Sequence, residues 1–335
     1  MNILLHSHHY APSVGGIESM SKTLAEEWHH MGHHVTVTTT TLGANQQGHA
    51  WTVLVNPNFW TMRRLIQCSD VYIQNNISLK KLVPWILTGK PLFIATHIWL
   101  QHGKRCSLAA FLKRMVLSFG FVHNISVSQA IAKHLPATSA YIPNAYNDKT
   151  FFVLNHVRRN IDFVYLGRFV SDKGADLLIE AMVLLNNMGQ SFSASFIGGG
   201  PEESSLKKMV LEMGLEKQVE FKGKIVGRPL VEELNRHRFM VVPSRWAEPF
   251  GLVALEGLAC GCIPLVADCG GLPEAVGECG FTFKSGDAHD LALRLCELAE
   301  SENLADRLKD KIAQHLEKHS ARVVAERYLE EFLKG

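Results

Sequence analysis

Short apolar runs alternate with longer segments of helical periodicity from one end of the chain to the other. In the first half the apolar runs fall at residues 3–7, 34–39, 71–75, 92–97 and 124–128. In the second half they fall at 163–167, 193–198, 219–223, 240–244, 263–267 and 280–283. Each is short, rich in Val, Ile, Leu and Phe, and bounded by polar or glycine-rich punctuation, as expected for strands buried on both faces. Segments 17–31, 174–188 and 202–213 carry helical periodicity between them. This alternation predicts an α/β protein with parallel sheets and helices on both faces. Two such sets predict two Rossmann-like domains, 1–147 and 148–318. Strand periodicity stops between them at Pro143-Asn144-Ala145-Tyr146-Asn147-Asp148. A last helix, 321–333, follows a break at His319-Ser320, so residues 319–335 form a separate C-terminal element.

Composition agrees with that division. A chain of 335 residues, 47% hydrophobic and 20% charged, fits two globular domains better than one. It holds no run of 18 apolar residues, which disfavours a membrane-spanning helix. The beginning, Met1-Asn2-Ile3-Leu4-Leu5-His6-Ser7, has neither a charged leader nor a long apolar core, so a cytoplasmic location is expected. Four of the seven cysteines (Cys260, Cys262, Cys269, Cys279) crowd together, but at no common zinc spacing and among strand and helix signals; buried free thiols are the better reading. The histidine clusters (His6, His8, His9; His29, His30, His33, His34) lack carboxylates at ligand spacing, and no metal is expected there.

Ligands in open α/β sheets bind beyond the carboxyl ends of the strands, so the strand-to-helix junctions carry the candidate chemistry. Glu248-Pro249-Phe250-Gly251-Leu252-Val253-Ala254-Leu255-Glu256 stands out: two carboxylates bracket seven residues just after an apolar run. Pro249 suits a helix's first turn, which would put Glu256 about two turns down. Gly251 admits close backbone approach, and an ionised carboxylate accepts from two hydroxyls, which suits a polyhydroxyl ligand. Arg168 ends one strand and Lys173 opens the next helix, two cations across a turn that suit one diphosphate. Glycine-rich turns occur at Ser13-Val14-Gly15-Gly16-Ile17-Glu18, at Gly198-Gly199-Gly200-Pro201 and at Asp268-Cys269-Gly270-Gly271. None meets the dinucleotide fingerprint, which disfavours a nicotinamide enzyme. His97 stands at a strand's carboxyl end. The chain has no Asp-x-Asp, so Arg168 and Lys173 would stabilise a leaving diphosphate where other enzymes use a metal.

In this order the motifs resemble the retaining, nucleotide-sugar-dependent glycosyltransferases of family 4, with their two-domain GT-B fold and E-x7-E signature. Gly15-Gly16, His97, Ser128, Asn144, Arg168 with Lys173, Gly198–Pro201, Glu248 with Glu256, and Asp268–Glu274 span almost the whole chain. The resemblance implies an acceptor-binding N-terminal domain, a nucleotide-sugar-binding C-terminal domain facing it across a cleft, and a final helix packed back on the first. It implies a catalytic set of His97, Arg168, Lys173 and Glu248. The donor would be held by Gly16, Gly199, Ile225, Phe250, Gly251, Leu252 and Glu256, with Glu256 on the ribose and the backbone near Lys224–Ile225 at the base. Gly15, Glu18, Ser128 and Asn144 would lie on the acceptor side. Two departures are visible: Ala145 follows Pro143-Asn144 where the family has glycine, and Ile98 follows His97 where many relatives carry Asp or Gly.

The implied activity moves a sugar with retention from a nucleotide diphosphate sugar, a UDP-sugar ahead of a GDP-sugar, to a glycan or lipid-linked acceptor. The setting would be bacterial cell-surface polysaccharide, lipopolysaccharide or glycolipid synthesis, with no cofactor and no metal. The alternatives are a catalytically silent nucleotide-sugar-binding subunit and a same-fold epimerase. Charge adds one more element. Residues 71–147 contain no Asp or Glu but hold Lys80, Lys81, Lys90, Lys104, Arg105, Lys113, Arg114 and Lys133. That basic face suits an anionic lipid surface or a phosphorylated acceptor better than nucleic acid, because aromatics are not interleaved as stacking platforms. Lys104, Arg105, Lys113 and Arg114 flank Leu108, Phe111, Leu112, Met115, Val116, Leu117 and Phe119, which at helical spacing predicts a basic amphipathic helix able to dock on the inner face of the cytoplasmic membrane.

Overall fold

The structure, a computed structural model, describes residues 1–13, 15–100, 107–301 and 303–335. In chain order the first elements are β1 (Asn2–Ser7), α1 (Gly16–His30), β2 (His34–Thr39), β3 (Thr52–Val55), α2 (Phe59–Cys68), β4 (Val71–Asn75), α3 (Leu79–Leu82), β5 (Leu92–Thr96), α4 (Leu108–Leu117), β6 (Val122–Ser126), α5 (Gln129–His134) and β7 (Ala140–Tyr141). They continue as β8 (Ile161–Arg168), α6 (Ala175–Asn187), β9 (Ala194–Gly199), α7 (Glu203–Glu212), β10 (Val219–Gly223), α8 (Arg228–Asn235), β11 (His237–Val242), α9 (Leu252–Ala259), β12 (Ile263–Ala267), α10 (Leu272–Val276), β13 (Phe281–Phe283), α11 (Ala288–Glu300), α12 (Leu304–Lys318) and α13 (Ala321–Phe332).

The chain forms two compact units. The first comprises Met1–Ala145 with His319–Gly335, the second Tyr146–Lys318. Each is built on one parallel sheet, as the alternation of apolar runs and helices requires. The first sheet has the order β3-β2-β1-β4-β5-β6-β7 and the second β10-β9-β8-β11-β12-β13. Each order reverses direction once, between β1 and β4 in the first unit and between β8 and β11 in the second. At such a switch point the loops leaving the two central strands run to opposite faces and open a crevice at the carboxyl edge.

The sequence misplaces some elements. β6 runs over Val122–Ser126, two residues earlier than expected, and Ser128 is not in it: its Oγ accepts from Ile131 N at 3.1 Å and caps α5. β11 likewise ends at Val242, leaving Ser244 in the loop. The edge strands β3 and β7 have four and two residues and were not expected, because so short a stretch carries too little alternation to stand out.

In the first unit α1 turns Met20, Leu24 and Trp28 toward β1 and β2, and α13 covers that helix from outside with Val324, Tyr328 and Phe332. Trp28 is fully buried; its Nε1 donates to the Ala325 carbonyl at 3.2 Å, and its ring lies 5.5 Å from Phe332 and 6.0 Å from Tyr328. The last helix therefore belongs to this unit's core although some 170 residues of the other unit precede it. Trp28→Ala should cost about 3–5 kcal/mol of unfolding free energy, since the cavity it leaves sits between two helices. Denaturant unfolding checks this, and a loss under about 1 kcal/mol would mean that α13 contributes little to the unit.

Candidate functional site

The carboxyl edge of the second sheet brings together the residues picked out by their spacing. Arg168 is the exposed last residue of β8, and Lys173 lies in the turn that follows. Lys173 Nζ is hydrogen-bonded to Glu248 Oε1, and Ser244 Oγ donates to the same oxygen at 2.8 Å. Both members of the ion pair are mostly buried. The two loops meet at the switch point, one leaving β8 and the other leaving β11.

Backbone contacts set this meeting. The Asp172 carbonyl accepts from Arg245 N at 2.9 Å and from Trp246 N at 3.0 Å. Arg245 also grips Asp176 with both guanidinium nitrogens, at 2.7 and 2.9 Å, and Nη1 reaches the Ser171 carbonyl. Gly174, at φ +68°, is pressed so close to the Pro243 carbonyl that a Cβ would lie 2.0 Å from its oxygen. Asp176 and Arg245 carried no motif in the sequence. Only an i-to-far contact reveals them, and no local spacing could.

The glycines of the other turns serve the frame as well. A Cβ on Gly198 would stand 1.8 Å from the Gly167 carbonyl oxygen, and one on Gly200 2.4 Å from that of Phe169. Gly270 and Gly271 press against the Glu248 and Pro249 carbonyls, and Gly271 N donates to Glu248 O at 2.7 Å. These turns were expected to admit a ligand; at these positions the backbone instead approaches its own neighbouring loop. Gly199 is buried between Arg168 and the Lys224 stem, and Ile225 packs at the rim of the core.

The E-x7-E segment needs one correction. Its helix, α9, starts at Leu252 rather than Pro249, so Glu256 lies just over one turn in. Phe250 is buried as a core side chain, and Gly251, at φ +123°, makes the turn into α9. Glu256 is half-buried, and its carboxyl finds no hydrogen-bond partner among the described residues. Burial without compensation pushes its pKa from 4.5 up to about 7. Cys269 donates to the Ser244 and Trp246 carbonyls, and burial pushes its thiol up. Among the described residues no three of His, Cys, Asp and Glu gather as a metal site.

The remaining candidates lie in the first unit. His97 follows β5 and is buried; burial pushes its imidazole down to about 4, opposed more weakly by the Asn144 side chain beside it. Neither ring nitrogen of His97 nor Asn144 Oδ1 has a hydrogen-bond partner among the described residues. The His97 amide donates to Asn76 Oδ1 at 2.8 Å, with Asn76 in the left-handed region at φ +65°. Beside it a buried chain runs from Asn75 Nδ2 to Ser21 Oγ, at 2.8 Å, and on to Ser7 Oγ, at 2.9 Å. Glu18 folds back over Gly15, its Oε2 only 2.4 Å from where a Cβ there would sit, and Gly16 opens α1. Ser128 is the cap described above, so its hydroxyl is committed to the fold.

A family model, Glycosyl transferases group 1, matches residues 147–315, half of the chain, and the chain belongs to that family. An uncharacterized glycosyltransferase of Methanocaldococcus jannaschii is 28% identical over 222 residues, 62% of this chain and 60% of its own length. A D-inositol 3-phosphate glycosyltransferase of Streptomyces scabiei is 32% identical over 165 residues, 46% of this chain and 37% of its own. The matched region thus spans less than two thirds of these curated relatives. Anabaena HepE, crystallised in complex with UDP, superposes over the full length of both chains with a TM-score of 0.84 at 20% identity, which shows the GT-B fold.

The raised pKa of Glu256 has a consequence for stability. Folding favours its protonated form, so the stabilisation that this proton gives is fully present below pH 4.5 and is lost as pH rises through about 7. Glu256→Gln fixes a neutral group of the same shape. It should raise the thermal midpoint at pH 8 and change it much less at pH 5, followed by calorimetry or circular dichroism. Equal shifts at both values would show that the carboxyl is not held neutral by its surroundings.

Proposed function

We propose that this chain is a retaining, metal-independent glycosyltransferase of family 4 that takes its donor on the second unit. The observation that carries the reading is the junction of Lys173, Ser244 and Glu248 at the β8/β11 switch point, next to Arg168. Arg168 and Lys173 neutralise the donor diphosphate. Glu248, oriented by Lys173 and Ser244, accepts from hydroxyls of the donor sugar, and the amides of Phe250, Gly251 and Leu252 face the same sugar at the start of α9. Glu256 takes the ribose, whose hydroxyls supply the donors that its buried carboxyl lacks. Gly199 and Ile225 line the nucleotide. A UDP-sugar is favoured, supported by the UDP bound to the Anabaena protein of the same fold.

In the transfer, the anomeric carbon–oxygen bond to the diphosphate breaks and a bond to the acceptor oxygen forms on the same face. The acceptor's proton passes to a leaving phosphate oxygen, and the nucleoside diphosphate departs. Two fixed cations stabilise the charge that develops on the leaving group, the work a metal does elsewhere. His97, held neutral, Asn144, Gly15 and Glu18 form the acceptor side in the first unit. Ser128 contributes there by fixing α5.

Arg168→Ala and Lys173→Ala should each lower turnover about a hundredfold, the effect of removing roughly 3 kcal/mol of leaving-group stabilisation. Release of nucleoside diphosphate from a panel of donors measures it, with and without EDTA, which should change nothing. Near-wild-type turnover in both variants, or loss on chelation restored by magnesium, would remove the assignment.

The acceptor we propose is a glycan or lipid-linked molecule reached at the cytoplasmic face of the membrane. Among the described residues no helix is long and apolar enough to cross it. Support comes from α4, which exposes Leu108, Phe111 and Met115, beside the stacked Phe119 and Phe121. Phe121 continues the apolar surface to Trp85. Lys113 lies on the same helix, while Arg114 turns its guanidinium to the His134 carbonyl. Lys104 and Arg105 lie outside the described residues. Vesicles with anionic lipid should co-sediment the protein at low salt and release it at high salt, since each cation near the surface adds about 1 kcal/mol. Equal pelleting with neutral vesicles, or none with either, would favour an acceptor met in solution.

A further inference from the structure

The first unit has a cavity of its own, about 490 Å³, at the carboxyl edge of its sheet. It lies where the segments after β1, β2, β3 and β4 come together, beside that unit's switch point on the side of β1, β2 and β3. Its wall includes His6, His8, Asn58, Ser78, Lys80 and Lys81, and among the described residues no Asp or Glu lines it.

The backbone segment that carries the two lysines is held by buried side chains of β4. Gln74 Nε2 donates to Tyr72 Oη at 3.0 Å, Tyr72 Oη donates to the Lys81 carbonyl at 3.1 Å, and Gln74 Oε1 accepts from Ser78 N at 2.7 Å. This chain, rooted in β4, fixes the segment that carries Ser78, Lys80 and Lys81. Lys81 Nζ donates to the Pro57 carbonyl at 3.3 Å, and neither lysine has an ion-pair partner among the described residues. His6 is buried in the same wall with Nδ1 bonded to Thr38 Oγ1 at 3.0 Å. Burial and the charges of Lys81 and His8 keep it neutral, leaving Nε2 for a polar contact. Asn58 caps α2, whose amino end adds a favourable potential for negative charge. An open wall that carries two ammonium groups without ion-pair partners, and no carboxylate among the described residues, is matched by an anion.

We propose that this cavity binds a phosphate ester of the acceptor, with Lys80 and Lys81 as its cations and His8 and Ser78 as neighbouring polar contacts. The inference rests on the reading of the first unit as the acceptor side and narrows the acceptor to a phosphorylated one, soluble or lipid-linked. The volume suffices for a sugar phosphate rather than a bare ion.

The test uses the full chain and no donor. Inorganic phosphate and glucose 1-phosphate are titrated while the imidazole C–H resonances of His6 and His8 are followed by NMR, with assignments from single His→Gln variants. Both probes should move these signals saturably. K80A/K81A should weaken binding at least tenfold, since ammonium–phosphate hydrogen bonds are among the stronger polar contacts. K80R/K81R, which keeps the charge, should largely restore it. R168A/K173A should leave it unchanged, which separates this pocket from the donor site. Signals moved by vesicles containing phosphatidic acid but by neither soluble probe would support the lipid-linked source. Signals unmoved by all three, or affinity unchanged in K80A/K81A, would overturn the proposal. Transfer is not the readout, so failure here leaves the transferase reading intact, and absence of transfer leaves this one intact.

Discussion

A single carbonyl, that of Asp172, ties the two halves of the candidate donor site together. By accepting from the amides of Arg245 and Trp246 it binds the turn after β8 to the loop after β11. Everything chemical in the second unit is referred to that junction. Lys173 is the next residue in one loop, and Glu248 lies two beyond Trp246 in the other. The Lys173–Glu248 ion pair is therefore oriented by backbone bonds that do not depend on it. Two long side chains alone would lose more conformational freedom in meeting, and an exposed pair would contribute little.

Close packing of backbone enforces the same geometry. At Gly174, Gly198 and Gly270 a neighbouring carbonyl occupies the space that a Cβ would need. Three loops at the carboxyl edge thus interlock, and none can shift without disturbing the next. Side chains held in this way are preorganised: their charges are already gathered, which is the condition for electrostatic stabilisation without reorganisation. Glu256 shows the converse. It is a carboxyl on a well-packed helix with no hydrogen-bond partner among the described residues, and burial raises its pKa.

The first unit uses the same topology for different chemistry. Its switch point carries neutral polar groups, among them Ser7, Ser21, Asn75, His97 and Asn144, and to one side a basic cavity. His97 and His6 are both held neutral by burial, and both stand at the carboxyl ends of central strands. Two parallel sheets of similar plan can thus offer one edge with paired cations and one polar surface, because the plan places loops and leaves their side chains to sequence.

Local pattern determined the architecture. The apolar runs at β1, β2, β4, β5, β8, β9 and β12 are legible because strands buried on both faces need continuous hydrophobic sequence, and the α/β alternation follows. The spacing of Glu248 and Glu256 and of Arg168 and Lys173 was legible for a related reason: each pair lies within one strand-loop-helix unit. Edge strands β3 and β7 and the true start of α9 at Leu252 were not, since a few residues of weak pattern are decided by what they pack against. Tertiary structure alone decided that Lys173 meets Glu248 across 75 positions and that Arg245 grips Asp176. It alone decided that α13 completes the core around Trp28, and that His6 shares a wall with Lys81. The physical reason is the same in each case. These contacts depend on the order in which strands pair within a sheet, and that order is set by non-local burial, which leaves no period and no spacing in the sequence itself.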